Sequence, residues 1–235
     1  MSETPTPKGP TPGAPTPEEH AAAYAGIRAR LAAVIGSAER DAPCPLTPEW
    51  TVGDTLAHAV GVADDVVAGR IEGAATDPWT ATQVNARRGR TIVELLAEWG
   101  ECAPGVEQLM GQLPVEISGQ IIFDAVTHEH DLRHAIAAGG AHESDAISIA
   151  AGWIAGAAKP RKAEMTPAIE IGYGGRRVVW GGGPVEVSLA LSEFEFVRAT
   201  SGRRSANQVL ALGVPDPALV LANVIFSPAA FDVVE

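Results

Sequence analysis

A chain of 235 residues with 46% hydrophobic side chains can bury one large or two ordinary cores. Its formal charge of -12, from 29 acidic and 17 basic residues, argues against nucleic acid and anionic membrane as partners, because both are reached through Lys/Arg patches. Two cysteines, Cys44 and Cys102, with no short Cys-x-x-Cys spacing, point away from a disulfide framework and from a thiolate zinc site.

The opening stretch MSETPTPKGPTPGAPTPEEH has neither the basic start nor the apolar run of a secretion signal. Residues 1 to 17, rich in Pro, Thr and Gly, read as a disordered tail because they hold too little apolar surface to offset the entropy of ordering. From Pro17 the residues Tyr24, Ile27, Leu31, Val34 and Ile35 repeat at spacings of three and four and predict an amphipathic helix. DAPCPLTPEW is a Pro-punctuated loop. Thr51 and Asp54 then form a capping-box pattern that opens a helix to about Gly69, and the apolar residues of that helix are spread over more than one face. A third helical region, 79 to 112, is interrupted at Gly89, and a fourth, 117 to 138, is expected to stop at Gly139-Gly140. Residues 18–143 therefore predict an antiparallel four-helix bundle with short connections, a frequent setting for metal sites.

Beyond residue 144 the texture changes. A helix at 145 to 158 precedes three runs with strand character, PAIEIGY, RRVVWG and VEVSLAL, separated by glycine-rich turn signals. Helices near 192 to 200 and 216 to 225 are expected to cover this sheet. Residues 144–235 thus read as a small α+β domain, and the fold class is mostly α with α+β. With no apolar stretch near the roughly 18 residues of a membrane span, the expected setting is the cytoplasm, as a monomer or small homo-oligomer with small-molecule ligands.

The stretch FDAVTHEHDLRHA is the richest in chemistry. At about 100° per residue, Asp124, His128, Asp131 and Ala135 fall within roughly 60° of one another, apart from the apolar face of Ile122, Ala125, Val126, Leu132 and Ile136. Residues at i and i+4 sit roughly 5–6 Å apart at Cβ and can share one ion, with a third ligand drawn from another element. His58 is the best candidate for that ligand. His130 and His134 have the same spacing on a different sector, and periodicity alone leaves open which pair is used. Gln83, Arg87 and Arg88 on one helix, and Arg203 and Arg204 in SGRRS, are candidate binders of substrate or thiol carboxylates, or else solvated or packing residues. Asp65, seven residues after His58, lies on the same helical face and is placed to line a pocket. Cys44 reads as structural, and Cys102 as packed beside Trp99.

The segments CPLTPEWTVGDTLAHAVGV and FDAVTHEHDLRHAI, with FVRATSGRRSANQVLAL further on, resemble the mycothiol-dependent maleylpyruvate isomerase family, a branch of the DinB-like metal-binding helical bundles. The resemblance spans nearly the whole chain after the tail. It implies His58, Asp124 and His128 as ligands of a divalent ion, with Zn(2+) expected. The helical position of Asp131 suits it to hydrogen-bond a ligand histidine or to form a surface ion pair with Arg133 or its neighbours. The resemblance also implies mycothiol as cosubstrate: a thiol at the open metal position becomes a thiolate, adds to a conjugated double bond, permits rotation about the resulting single bond and is eliminated. Stopped after addition or displacement, the same chemistry is S-transfer to a small electrophile. Isomerases of the family are expected to carry Glu where this chain has Asp124, one methylene shorter but still a competent oxygen ligand. The competing readings are a metal-binding stress or sensing module without turnover and a related metal hydrolase.

Overall fold

The computed structural model describes residues 15–157, 168–214 and 228–235. Helix α1 spans Pro17–Ile35, with Thr16 as N-cap in a reciprocal capping box with Glu19. It buries Tyr24, Ile27, Leu31 and Ile35 of the stripe predicted from spacing and leaves Val34 half-buried. Helix α2, Val52–Ala68, starts at the Thr51/Asp54 capping box and ends where Gly69 adopts a left-handed conformation at φ 69°. The broken third region is two helices, α3 at Asp77–Ala86 and α4 at Ile92–Met110. Gly89 lies between them at φ 82°. Helix α5 is Val115–Ala135.

Helix α5 stops short of the expected Gly139-Gly140. Ala137 takes the left-handed position at φ 54°. Its N–H donates to the His134 carbonyl at 3.2 Å, and the Ala138 N–H donates to the Arg133 carbonyl at 2.9 Å. That pair of bonds is a Schellman termination with alanine where glycine is usual. The Arg133 guanidinium caps the end further, donating to the carbonyls of Ala138 and Gly139.

The bundle departs from the simple antiparallel expectation in one respect. Helices α1 and α2 each pack on α4 and α5 rather than on one another, so the first two helices lie diagonally across the bundle. The long Pro-punctuated connection from Gly36 to Trp50 gives the chain the reach to cross the bundle end. Tyr24 and Trp99 join α1 to α4 in its centre: the indole N–H donates to the tyrosine hydroxyl at 2.8 Å.

Helix α6, Asp145–Ala157, packs on α5 and α1. Strands β1 (Ala168–Tyr173), β2 (Arg176–Trp180) and β3 (Val185–Leu191) form a sheet of order β2-β1-β3, with β1 antiparallel to β2 and parallel to β3. The β1–β2 turn is Gly174-Gly175, both at positive φ, as a tight hairpin requires. Helix α7, Glu193–Thr200, covers the sheet and packs on α6. Its Phe196 stacks on Tyr173 with centroids 4.4 Å apart. A short helix α8, Ala206–Ala211, follows from a Ser205/Gln208 capping box. It was not anticipated, although Ser-x-x-Gln is a helix-start signature. The expected helix at 216 to 225 and the tail to residue 14 lie outside the described residues. One hydrophobic core runs from Ala23 on α1 through the bundle and α6 to the sheet and Val214. None of the described helices is long and apolar enough to cross a membrane.

Candidate metal centre

Helix α2 supplies His58, and one face of α5 supplies Asp124 and His128. Their ligand atoms all lie within 4.8 Å of one another. His58 Nε2 is 3.6 Å and His128 Nε2 is 3.8 Å from Asp124 Oδ1, and the imidazole centroids are 5.0 Å apart. Bonds of about 2.0–2.2 Å in tetrahedral zinc coordination place neighbouring donors about 3.3–3.6 Å apart, so these side chains are close to the separation a shared ion needs.

The far side of each ring is spoken for, and this fixes the tautomers. His58 Nδ1 meets Gln83 Oε1 at 2.8 Å, while Gln83 Nε2 donates to Asp65 Oδ2 at 2.7 Å. A carboxylate only accepts, so the Gln83 amide must turn its N–H toward Asp65 and its oxygen toward His58. His58 then donates from Nδ1, and Nε2 is the nitrogen turned toward Asp124. His128 Nδ1 likewise lies 3.2 Å from Asp131 Oδ2 and must donate to it. Both Nε2 atoms therefore face the Asp124 carboxylate, and with neutral imidazoles the three groups are acceptors that a shared cation, whether a proton on Nε2 or a metal ion, satisfies.

The supports are themselves buried. Asp131 is fully enclosed and accepts from Arg203 Nε at 3.2 Å and Nη2 at 2.8 Å, with Arg198 Nη2 at 3.1 Å. Burial alone would raise its pKa, but the Arg203 and Arg198 guanidinium groups hold it well below the usual carboxylate range. Burial would also lower the pKa of His58, and the Asp124 carboxylate outweighs it and raises it. Asp124 is lowered in return, chiefly by His58. Gln83 reaches His58 because Gly61, one turn further along α2, has no side chain. A Cβ there would stand 2.4 Å from the Gln83 Cβ.

The cluster forms part of the lining of a cavity of about 690 Å³. Trp50 leans over both imidazoles, with centroids 5.2 Å from His58 and 6.0 Å from His128, and Trp79 meets His58 edge-on at 6.5 Å. The other candidates are placed as follows. Arg203 lines the cavity, held against Asp131. Gln83 is buried behind His58, and Asp65 stands behind Gln83 rather than in the cavity wall. Arg87 is turned away, donating to Glu98, Asp64 and the Gln83 carbonyl, and ties α3 to α2 and α4. Arg88 bonds Asn85 at the surface. Arg204 is enclosed by Glu195 and Glu235. The rival histidines point elsewhere: His130 packs on Phe194 and His142, and His134 on Phe231. The residues that sequence reasoning missed are Trp79 and Arg198. Arg198 has no side-chain exposure, and its partners are Asp131 and Glu235 from distant parts of the chain.

Neither cysteine is activated. Burial pushes the Cys44 thiol up, and Cys102 rises to about 11, mainly through burial.

The fold and site together define a helical-bundle protein in which two histidines and one aspartate, a donor set that could hold a metal ion, line an apolar cavity. Residues 20–118 match the model of the mycothiol maleylpyruvate isomerase N-terminal domain. His58 lies inside the matched segment, and Asp124 and His128 lie just beyond it. No curated protein and no solved structure matches the chain significantly.

Proposed function

We propose that this protein is a cytoplasmic enzyme that holds a divalent ion, zinc in this reading, on His58, Asp124 and His128, and uses it to activate mycothiol for isomerisation of, or S-transfer to, a small electrophile. The observation that carries this reading is the convergence of two fixed Nε2 atoms on one carboxylate. Three protein ligands leave room for an exogenous one, and such an ion, when bound, stabilises the thiolate of a coordinated thiol near neutral pH.

The chain's own residues do the rest. Gln83 and Asp131 orient the imidazoles, and Arg203 holds Asp131 in place. Trp50, Trp79 and the apolar wall keep water from the reacting atoms. The raised thiol pKa values of Cys44 and Cys102 leave the nucleophile to an external thiol, as the family match suggests.

Mass-spectrometric metal analysis of protein purified without an affinity tag tests the site. About one ion per chain is expected in the wild type. It should be lost in both His58→Ala and His128→Ala. A wild type without metal, or variants that retain it, defeats the assignment. Thiol consumption with mycothiol and a panel of electrophiles then tests the enzyme reading; a metal-replete protein without turnover would favour a non-catalytic metal module.

A further inference from the structure

The cavity above the cluster carries information about the substrate. Its wall is built from Trp50, Trp79, Val62, Val66 and Ile121. Two large apolar side chains also stand exposed at its edge, Ile71 at 62% and Ile117 at 47%. Exposed isoleucines are unfavourable in water, and a pair of them at the edge of a cavity marks a surface covered when an apolar ligand enters. The charges present point the same way. Glu49 and Asp77, both exposed, belong to the lining. Among the described lining residues the permanent cation is Arg203, whose Nε and Nη2 serve Asp131 and whose Nη1 donates to the Ser201 carbonyl at 2.8 Å. Arg87, Arg88 and Arg204, the other described candidates for carboxylate recognition, lie outside this lining and are held by Glu98, Asn85 and Glu195.

We infer that the second substrate is an uncharged, flat aromatic electrophile seated between Trp50 and Trp79 and covered by Ile71 and Ile117, not a dicarboxylate. The inference rests on the reading of this cavity as a substrate site beside the metal cluster. Trp79 is suited to the role because its indole N–H is anchored on the Arg70 carbonyl at 3.0 Å, so its ring is already fixed before a ligand arrives. The ion could take one carboxylate of a dianion, but the other would meet Glu49 and Asp77 with no uncommitted guanidinium among the described lining residues to receive it.

Calorimetric titration of the full-length protein, with and without added zinc, tests this without turnover. The probes are 1,3-dinitrobenzene, a neutral ring with no leaving group, and maleate, a small dianion. Dinitrobenzene should bind about tenfold more tightly than maleate, and Trp79→Ala should weaken it about tenfold, the equivalent of roughly 1.4 kcal/mol of lost ring contact. Trp79→Phe should recover most of that loss, which a merely unfolded variant could not do. Tighter binding of maleate, or dinitrobenzene binding indifferent to Trp79→Ala, overturns the inference. A separate arm follows mycothiol transfer to 1-chloro-2,4-dinitrobenzene, in which a C–S bond forms at the ring carbon, the C–Cl bond breaks, and chloride and the thiol proton pass to solvent. Preserved binding preference without this transfer supports the substrate class and defeats the thiol-enzyme reading instead.

Discussion

Gln83 shows how much one side chain can decide. Its amide is read at one end by Asp65 and at the other by His58, so an acceptor-only carboxylate two steps away dictates which imidazole nitrogen is free. Sequence reasoning placed Gln83 on a helix beside Arg87 and Arg88 and offered all three as substrate binders. It could not see Gly61, whose bare Cα lets α3 close on α2 and brings Gln83 within reach. Gln83→Leu keeps most of the volume but removes the acceptor, leaving His58 free to rotate and to change tautomer. Metal affinity measured by competition with a chromophoric chelator should fall about 10–100-fold, while the thermal midpoint of the metal-free protein moves little. Unchanged affinity would mean that the Gln83–His58 bond does not orient the ligand.

At the scale of elements, the bundle helices follow from local signals. Thr16/Glu19, Thr51/Asp54 and Thr91/Glu94 each make a reciprocal capping box, and most of the apolar stripe of α1 is buried as its spacing predicts. The end of α5 escaped because its stop is made by geometry rather than by composition. Two glycines lay nearby, yet the left-handed residue is Ala137, fixed by the bonds from Ala137 and Ala138 back to His134 and Arg133. An L-residue in that conformation costs about 1–2 kcal/mol, partly offset in a glycine variant by extra unfolded-state entropy. Ala137→Gly should therefore stabilise the protein by about 0.5–1 kcal/mol in urea denaturation. A loss of stability would show that the methyl group packs usefully. Asp124 and His128, roughly two and a half to three and a half turns upstream on the same helix, should keep their metal affinity unchanged.

Across the whole molecule, a line of buried ion pairs ties the C-terminal segment to the cluster. Glu235 accepts from Arg198 at 2.7 Å and from Arg204 at 2.7 Å; Arg198 reaches Asp131, and Asp131 holds His128. The neighbouring turns are bound in the same way, with Ser205 bonded to Asp232 and Gln208 to both backbone groups of Val233. Buried pairs contribute little net stability when intact, but removing one partner strands the other. Arg198→Met leaves Asp131 with Arg203 and Glu235 with Arg204, so its cost should fall near the lower end of the usual range, about 3 kcal/mol by chemical denaturation. Metal affinity should drop with it, because Asp131 loses one of the charges that fix its position. A variant as stable as the wild type would show that the line of ion pairs carries no strain from end to end.

What the sequence by itself determined was most of what depends on near neighbours along the chain. Helix starts are set by side chains three residues from the cap, helix faces by a 3.6-residue period, the three strands by alternation between glycine-rich turns, and the Asp124/His128 pair by one turn of helix. Periodicity alone could not choose between that pair and His130/His134, since both have the same spacing. Tertiary structure decided what depends on contacts between distant residues: the diagonal placement of α1 and α2, the turning away of Arg87 and Arg204 into ion pairs, and the orientation of His58 and His128 by Gln83 and Asp131. Spacing limits which side chains can meet on one element, but the direction of a lone pair is set by the partner on its far side, and that partner arrives only when the helices pack.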